Sequence, residues 1–539
     1  MFSADNNVPR STAALNDLMA YRPSRATVRL VTVMLFTLLA AAGIIFSVYL
    51  FVVSTNLYMY MIAFAFLMLS VISGFFNVFA AYWYYKAYFY PDYIKSIKRS
   101  LKPMKELPRV AIMVPAYNED PNTVERALTK LLGLNYPKDK LRYYLLDDSN
   151  KQGIADKLEA FCKKQNIVYI HRAYRRGFKA GALNEALKVS REELIAVFDA
   201  DEYIINNNFL VDLVPYFQDE KISYIQTEKK SAKGGFFADS VDMFNAFFFK
   251  FIQTARALDN TAIFAGSCGI IRKSSLDKIG GFPEYVIEDT FFSFESDENN
   301  FKSLYIPKVY ALGRPIKTFT ALARQQWRYN YGDTQFLAYL MHTFNKKKKK
   351  VKNLTTLSSI DYIAHGFGLN YLSLILIIFT LVSVLIVFSS FPMSHFTFSQ
   401  IGQLLQVRSL TLYLQMFGII AFTLSLLIPV LLTKFYFNSI SKGVMIFILN
   451  FSLAFVRVKA ALAAILKLDP RSHWQKASHG NRNMIASVVN TKFEIAFSTL
   501  LMALGYISIT VNDNMTGGLW LIGYGSLYVF STLFFYRYG

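Results

Sequence analysis

Seven long apolar runs divide this chain, and they bracket a block that contains none. Residues 31–53 and 58–85 come before the block, and residues 370–390, 410–432, 444–466, 493–511 and 518–536 come after it. Each run approaches or exceeds the roughly 20 apolar residues a helix needs to cross a bilayer. Between residues 107 and about 340 charges are frequent and no comparable run occurs. Such a chain is expected to fold as a membrane α-helical bundle carrying one domain outside the bilayer. With 53% hydrophobic and only 18% charged residues, disorder is excluded. Two cysteines, Cys162 and Cys268, make no disulfide framework, and their spacing fits no zinc site.

Basic residues beside the membrane set the expected orientation. Seven fall between residues 86 and 109, and six lysines fall between 346 and 352. Both segments flank the block, which is therefore expected in the cytoplasm. The segment 467–492 carries five basic residues and one Asp, and is expected there too. The connections near Thr55, at 391–408 and at 512–514 hold almost no charge and are expected outside. Run 444–466 contains Arg457 and Lys459, which are costly at the bilayer centre. It reads as a membrane-embedded or re-entrant helix over 443–466, a full crossing being the rival. The expected organisation is a cytosolic tail (1–28, without a cleavable signal peptide), two crossings within 29–90, a cytosolic domain at 107–340, then four crossings within 359–539. A multi-pass protein of the plasma membrane is the expected location.

Within the block, strand-like and helix-like patterns alternate. Apolar stretches at 109–117, 141–146, 167–171 and 194–198 end in polar residues, with helical stretches at 122–132 and 180–189. This is an α/β pattern, and such sheets bind ligands at the carboxyl ends of their strands. Two strand ends carry acid pairs, Asp147-Asp148 and Asp199-Ala200-Asp201. Carboxylates so placed suit Mg²⁺ or Mn²⁺ bridging a diphosphate. Each pair alone is most often a solvated turn; the two together, both after apolar strands, carry more.

These residues resemble a known family. Pro115-Ala116-Tyr117-Asn118-Glu119, Asp147-Asp148-Ser149, Lys179-Ala180-Gly181-Ala182-Leu183-Asn184 and Asp199-Ala200-Asp201 are similar to the motifs of family 2 inverting glycosyltransferases with the GT-A fold. Ala265-Gly266-Ser267-Cys268-Gly269 resembles the acceptor-side turn, and Ile287-Glu288-Asp289 stands where the family has Thr-Glu-Asp. Gln325-Gln326-Trp327-Arg328-Tyr329 resembles the Q-x-x-R-W motif of cellulose, hyaluronan and chitin synthases, with Tyr329 in place of Trp. The resemblance implies a GT-A (Rossmann-like, mixed-sheet) domain.

It also implies roles. Tyr117, Glu119 and Asp148 would hold the nucleotide base and ribose, with Lys179 beside the nucleotide. Asp199 and Asp201 would contact the nucleotide sugar and its Mg²⁺ or Mn²⁺, Asp201 as the direct ligand. Asp289 would be the general base that deprotonates the acceptor hydroxyl. Gln325 and Arg328 join the nucleotide-binding set, Arg328 because a planar guanidinium suits phosphate oxygens. Gly266, Ser267, Cys268, Glu288 and Tyr329 would lie on the acceptor side, Tyr329 stacking on the acceptor sugar with less area than Trp. Cys268 also reads as a small buried residue in a tight turn. The basic segment 474–482 lies where relatives carry a gating loop, without matching the gating motif of cellulose synthases. Control by cyclic dinucleotides is not expected within this chain.

Two stretches have plainer readings. Phe237, Val241, Phe244, Phe248, Phe251 and Ile252 recur at helical spacing within 236–257, which makes either a core helix or one lying on the membrane. The run 346–350 is a solvated face that also attracts anionic lipid. The expected activity is transfer from a nucleotide sugar, a UDP-sugar, to a growing β-linked polysaccharide that passes through the protein's own helices. A glycolipid synthase acting on a membrane lipid is the alternative, and a transporter with a degenerate domain is disfavoured by the intact carboxylates. The net charge of +21 is not a nucleic-acid footprint: residues 110–330 hold 30 basic against 28 acidic residues, and the remainder holds 28 against 9. The excess is a consequence of topology.

Overall fold

A computed structural model describes residues 26–54, 57–172, 174–346, 354–388, 430–469, 484–512 and 514–538. The polar tail before residue 26, the lysines at 347–352, the connection at 391–408, most of the run 410–432 and the basic segment 474–482 lie outside the described residues. Two long helices open the fold, α1 (Ala26–Val53) and α2 (Leu57–Ala87), and pack against each other.

The central domain is built on a seven-stranded mixed sheet in the order β3-β2-β1-β4-β8-β6-β9. Its strands are β1 (Val110–Ala116), β2 (Leu141–Asp147), β3 (Val168–His171), β4 (Leu194–Val197), β6 (Ile222–Thr227), β8 (Gly269–Arg272) and β9 (Lys302–Ile306). β1, β2, β3 and β4 run parallel, while β8 runs antiparallel to β4 and β6. Two-residue β5 (Tyr203–Ile204) and β7 (Lys230–Ser231) flank β10 (Ala311–Gly313) in a small second sheet.

The central strands β1 and β4 are apolar and buried on both faces, as strands covered by helices on both sides require. One core holds Val110, Ile112, Val114, Leu145 and Ala196; the other holds Ala111, Met113, Leu146, Ile195 and Val197. Helix α3 (Pro121–Leu131) starts where Asp120 caps the Thr123 amide at 3.2 Å and Pro121 supplies a preset φ. Helices α4 (Gln152–Gln165) and α5 (Phe178–Val189) complete the alternation. Strand order reverses between β2-β1 and β1-β4, so the loops after β1 and β4 open on one crevice.

The aromatic stripe does not form one helix. It divides into α6 (Phe236–Phe247), a π-helical turn (Phe248–Ile252) and a short helix (Gln253–Leu258). Its side chains neither fill the domain core nor lie free. Phe237 stacks on Tyr538 at 4.5 Å and Phe251 on Tyr84 at 4.2 Å, which fastens the domain to apolar helices from both ends of the chain.

Helix α7 (Glu288–Glu298) packs Phe292 against the core under β1 and β4, and α8 (Phe319–Lys346) follows β10. α9 (Thr356–Val387) is kinked at Gly368, whose φ/ψ of 36°/−130° is non-helical. α10 (Ile440–Ser452) and α11 (Ala454–Ile465) are bent by 43° at Leu453, within the run that carries Arg457 and Lys459. α12 (Lys492–Thr510) and α13 (Met515–Tyr538) pack against each other. Among the described residues three stretches, Tyr60–Ala87, Lys492–Thr510 and Gly517–Tyr538, are long and apolar enough to cross a membrane, or four if the bent pair is one span. Arg457 is fully buried and donates to Gln326 Oε1 and Asn450 Oδ1, both at 3.1 Å.

Candidate active site

The loops after β1 and β2 are tied together before any ligand is considered. Asn118, in a left-handed conformation (φ 52°), donates its amide to Ser149 Oγ at 2.8 Å and its side chain to Asn150 Oδ1 at 2.8 Å. Tyr117 follows β1 and stacks on Arg175, whose guanidinium carbon lies 3.6 Å from the ring centroid. Asp148 follows β2 and accepts two bonds from Arg172, one from Nε at 2.7 Å and one from Nη2. Thus Tyr117 and Asp148 come together with a pair of arginines that no sequence motif had marked.

Asp199 and Asp201 follow β4 but differ in state. Both Asp199 oxygens are engaged, Oδ1 by Lys179 and Oδ2 by Lys229 at 3.2 Å. Burial works to raise its pKa, yet Lys179 and Lys229 hold it well below the usual carboxylate range. Asp201 accepts no hydrogen bond from a described residue. Burial, then the charges of Asp199, Glu202 and Glu119, push it up to about 6. Glu119 is itself raised by burial, against the pull of Arg314.

Among the described residues no three His, Cys, Asp or Glu side chains form a ready metal cage. The donor chemistry still fits a divalent cation, because the open Asp201 carboxylate is a hard oxygen ligand whose repulsion a cation would relieve. The remaining coordination would come from a diphosphate and water, the usual arrangement for a cation that keeps several waters.

The turn 265–268 is held from β6. Gln226, fully buried, accepts from the Ala265 amide at 2.7 Å and donates to the Ser267 carbonyl at 2.9 Å. Ser267 and Cys268 are buried and both donate to Glu202, at 2.8 and 3.3 Å. Burial, then the Glu202 charge, pushes the Cys268 thiol well up, against formation of the thiolate. Of this turn, Gly266 borders the acids most directly: Lys179 donates to its carbonyl at 2.9 Å, and a Cβ there would lie 3.1 Å from Asp289 Oδ2.

Glu288 and Asp289 occupy the first turn of α7. Burial, then the Asp289 charge, pushes Glu288 up to about 7. Asp289 is also raised by burial, although it accepts from the Thr290 amide at 2.9 Å and feels Lys179 and Arg328. α8 comes close beside them, since a Cβ at Gly332 would lie 2.5 Å from Ile287 Cγ2. This approach brings Arg328 to the acid pair. Burial would lower its pKa, but Tyr329 and Glu288 hold it up. Gln325 donates to the Tyr329 hydroxyl at 3.2 Å, and Arg328 lies 5.3 Å from the Tyr329 ring centroid. Trp327 faces away, stacking on Tyr331 at 5.1 Å and packing with Ala460 and Ala463.

Two residues central to this arrangement carried no sequence signal. Lys229 joins Asp199, Glu202 Oε1 at 3.2 Å and Ser267 Oγ at 2.5 Å. Glu202 accepts from the Asp199 amide at 3.0 Å and so links the acid loop to the turn 265–268. The residue following a D-x-D pair could have been flagged as a third acid; Lys229 follows a strand with nothing to distinguish it from Lys230.

Residues 111–280 match the family described as glycosyl transferase family 2. The chain is 32% identical over 238 residues to the UDP-forming cellulose synthase catalytic subunit of Pseudomonas fluorescens, covering 43% of this chain and 32% of that one. It is 30% identical over 242 residues to the beta-monoglucosyldiacylglycerol synthase of Trichormus variabilis, covering 42% and 50%. The match therefore spans about a third to a half of these relatives' lengths. A mannosyltransferase from Pyrobaculum calidifontis, solved with GDP-Man and Mn²⁺, superimposes with a TM-score of 0.46 at 18% identity, covering 74% of this chain and 100% of that one.

Proposed function

We propose that this chain, whose residues 111–280 are a family 2 glycosyltransferase domain, is a membrane-integrated, inverting enzyme that extends a β-linked polysaccharide from a nucleotide sugar. The observation that supports this reading is the convergence of Asp289 and Lys179 on Gly266, where a Cβ would lie 3.1 Å from Asp289 Oδ2 and 3.6 Å from Lys179 Nζ. Asp289 would supply the base. Lys179, Lys229 and Arg328 supply positive charge close to it, and Asp201 offers a carboxylate that accepts no hydrogen bond from a described residue.

In a single displacement the acceptor hydroxyl gives its proton to Asp289 as its oxygen bonds the anomeric carbon. The bond from that carbon to the diphosphate breaks, and its electron pair leaves with the phosphate oxygen. Mg²⁺ or Mn²⁺, held by Asp201, would neutralise charge on the departing diphosphate. Lys179 and Arg328 stabilise the same charge from fixed positions. Tyr117 and Asp148, braced by Arg175 and Arg172, hold the base and ribose.

The apolar helices on both sides of the domain support an integral membrane location, with the domain on the basic, cytoplasmic side. Membranes containing the protein, given a panel of UDP-sugars and GDP-mannose, are expected to accumulate long polymer. A product that stops at one added sugar on a lipid would refute polymerisation. It would favour the second reading, a glycolipid synthase, to which the similarity with a glucosyldiacylglycerol synthase points.

A further inference from the structure

Asn184 ends the stretch that Lys179 begins on α5, and it has no part in the site described above. Its side chain reaches across to the segment 281–287, which leads into α7 and the acid pair. There it takes both peptide groups of one residue. Asn184 Oδ1 accepts from the Phe282 amide at 2.8 Å, and Asn184 Nδ2 donates to the Phe282 carbonyl at 2.9 Å. A carboxamide carries an acceptor and a donor side by side, so it closes a pair that a carboxylate closes only in part.

Both backbones are shaped for this approach. Gly281 has a φ of 99°, and a Cβ there would lie 2.7 Å from Asn184 Oδ1. Gly177, at the start of α5, has a φ of 69°, and a Cβ there would lie 2.7 Å from Glu284 Cδ. Each segment thus carries a glycine where a side chain of the other comes in. Phe282, 2% exposed, continues the connection. It shares one core with Ala180 and Leu183 of α5 and with Phe292 of α7, and its ring centroid lies 5.6 Å from that of Phe292. Phe292 stands one helical turn after Asp289. The helix that carries Lys179 and the helix that carries Asp289 are therefore fastened to each other through Asn184 and Phe282.

Lys179 is held independently of this fastening, by Asp199 and by the Gly266 carbonyl at 2.9 Å. Asp289 accepts from the adjacent Thr290 amide, which belongs to its own helix. The place of Asp289 therefore follows the place of α7. We propose that Asn184 is a positioning residue that sets the distance of Asp289 from Lys179, and with it the alignment of the base on the reacting sugar. The role rests on Asp289 acting as the base, as in the reading above.

The test uses the full-length protein in lipid nanodiscs and follows release of nucleoside diphosphate from the nucleotide sugar it turns over. Asn184→Ala is expected to lower kcat about tenfold or more, with KM for the nucleotide sugar within about twofold of wild type. A loss of structure alone lowers the unfolding midpoint, whereas a displaced base also moves the pH profile. The charged groups around Asp289 are Lys179, Lys229 and Arg328, with the acids Glu288 and Asp333. A base farther from Lys179 keeps its proton more readily, so the acid limb of kcat/KM should move to higher pH, by about 0.5 or more. An unmoved limb in folded protein, or a donor KM that rises as much as kcat falls, would overturn the positioning role. Gly281→Ala, which adds no charge and presses on Asn184, is the second variant if Asn184→Ala does not fold. The same shift is expected in it, and an unmoved limb there also overturns the role. Asp289→Asn separates the two readings. Wild-type transfer in that variant removes the base assignment and the positioning role together; lost transfer there, beside an unmoved limb in the Asn184 and Gly281 variants, removes the positioning role alone.

Discussion

A side chain at Gly266 would press on Asp289: its Cβ would lie 3.1 Å from the Asp289 carboxylate oxygen. The φ of 79° at Gly266 is a second reason for glycine, because L-residues rarely adopt it. Gly266→Ala should therefore strain the turn and displace the base together. The expected result is a loss of at least about tenfold in kcat, equivalent to roughly 1.4 kcal/mol, with a melting temperature lowered by a few degrees. Steady-state kinetics and thermal unfolding check both.

Asp289→Asn keeps the shape and hydrogen-bonding reach of the side chain but cannot take a proton. Transfer should fall by about 10²–10⁴-fold, the usual contribution of a general base. Binding of the nucleotide sugar, measured by calorimetry, should be retained. Unchanged transfer would remove Asp289 from the base role.

The acid pair sets a pH dependence. Both groups are raised, Asp289 by burial and Glu288 to about 7 by burial and its neighbour's charge. A raised carboxyl is protonated below its pKa, so the basic form of the pair is lost as pH falls through the neutral range. A plot of kcat/KM against pH should drop on the acid side at a pH above the usual carboxylate range. Glu288→Gln removes one negative charge beside Asp289 and should shift that limb to lower pH.

Asp201 is the open carboxylate of the acid loop. Asp201→Ala should abolish the dependence of nucleotide binding on Mg²⁺ or Mn²⁺ in calorimetric titrations. Persistence of that dependence would move the metal to other residues.

Lys229 pairs with Glu202, which is only 4% exposed. Lys229→Met should leave that carboxylate without its cation and cost about 1–3 kcal/mol, read as a lower unfolding midpoint. Loss of its contacts to Asp199 and Ser267 should also lower kcat.

Strands that are buried on both faces announce themselves as continuous apolar runs, so β1, β2 and β4 were legible to within a residue or two, as was the half-buried edge strand β3. So were the acids at their ends, because polar residues after such runs have few structural reasons to be there. The apolar helices were legible for the same reason, and the charges of Arg457 and Lys459 marked the run that bends. The stripe at 236–257 showed its period but not its partners, since Tyr84 and Tyr538 lie far away in sequence. Arg172, Arg175 and Lys229 carried no signal, and Glu202 only its place after Asp199-Ala200-Asp201. Each acquires its place through tertiary contacts, and a single charged residue in a turn or a helix looks the same whether solvated or enclosed. Ser267 and Cys268 show the reverse: the turn was recognisable, but only the fold reveals that both are committed to Glu202.

The stereochemistry of the new bond tests the account most directly. One base facing one leaving group performs a single displacement, so each transfer inverts the anomeric centre. Purified full-length protein would be given a nucleotide sugar of α configuration with Mn²⁺, and the linkage formed would be read by NMR. β linkages are expected throughout the product. Linkages that retain the α configuration would contradict it.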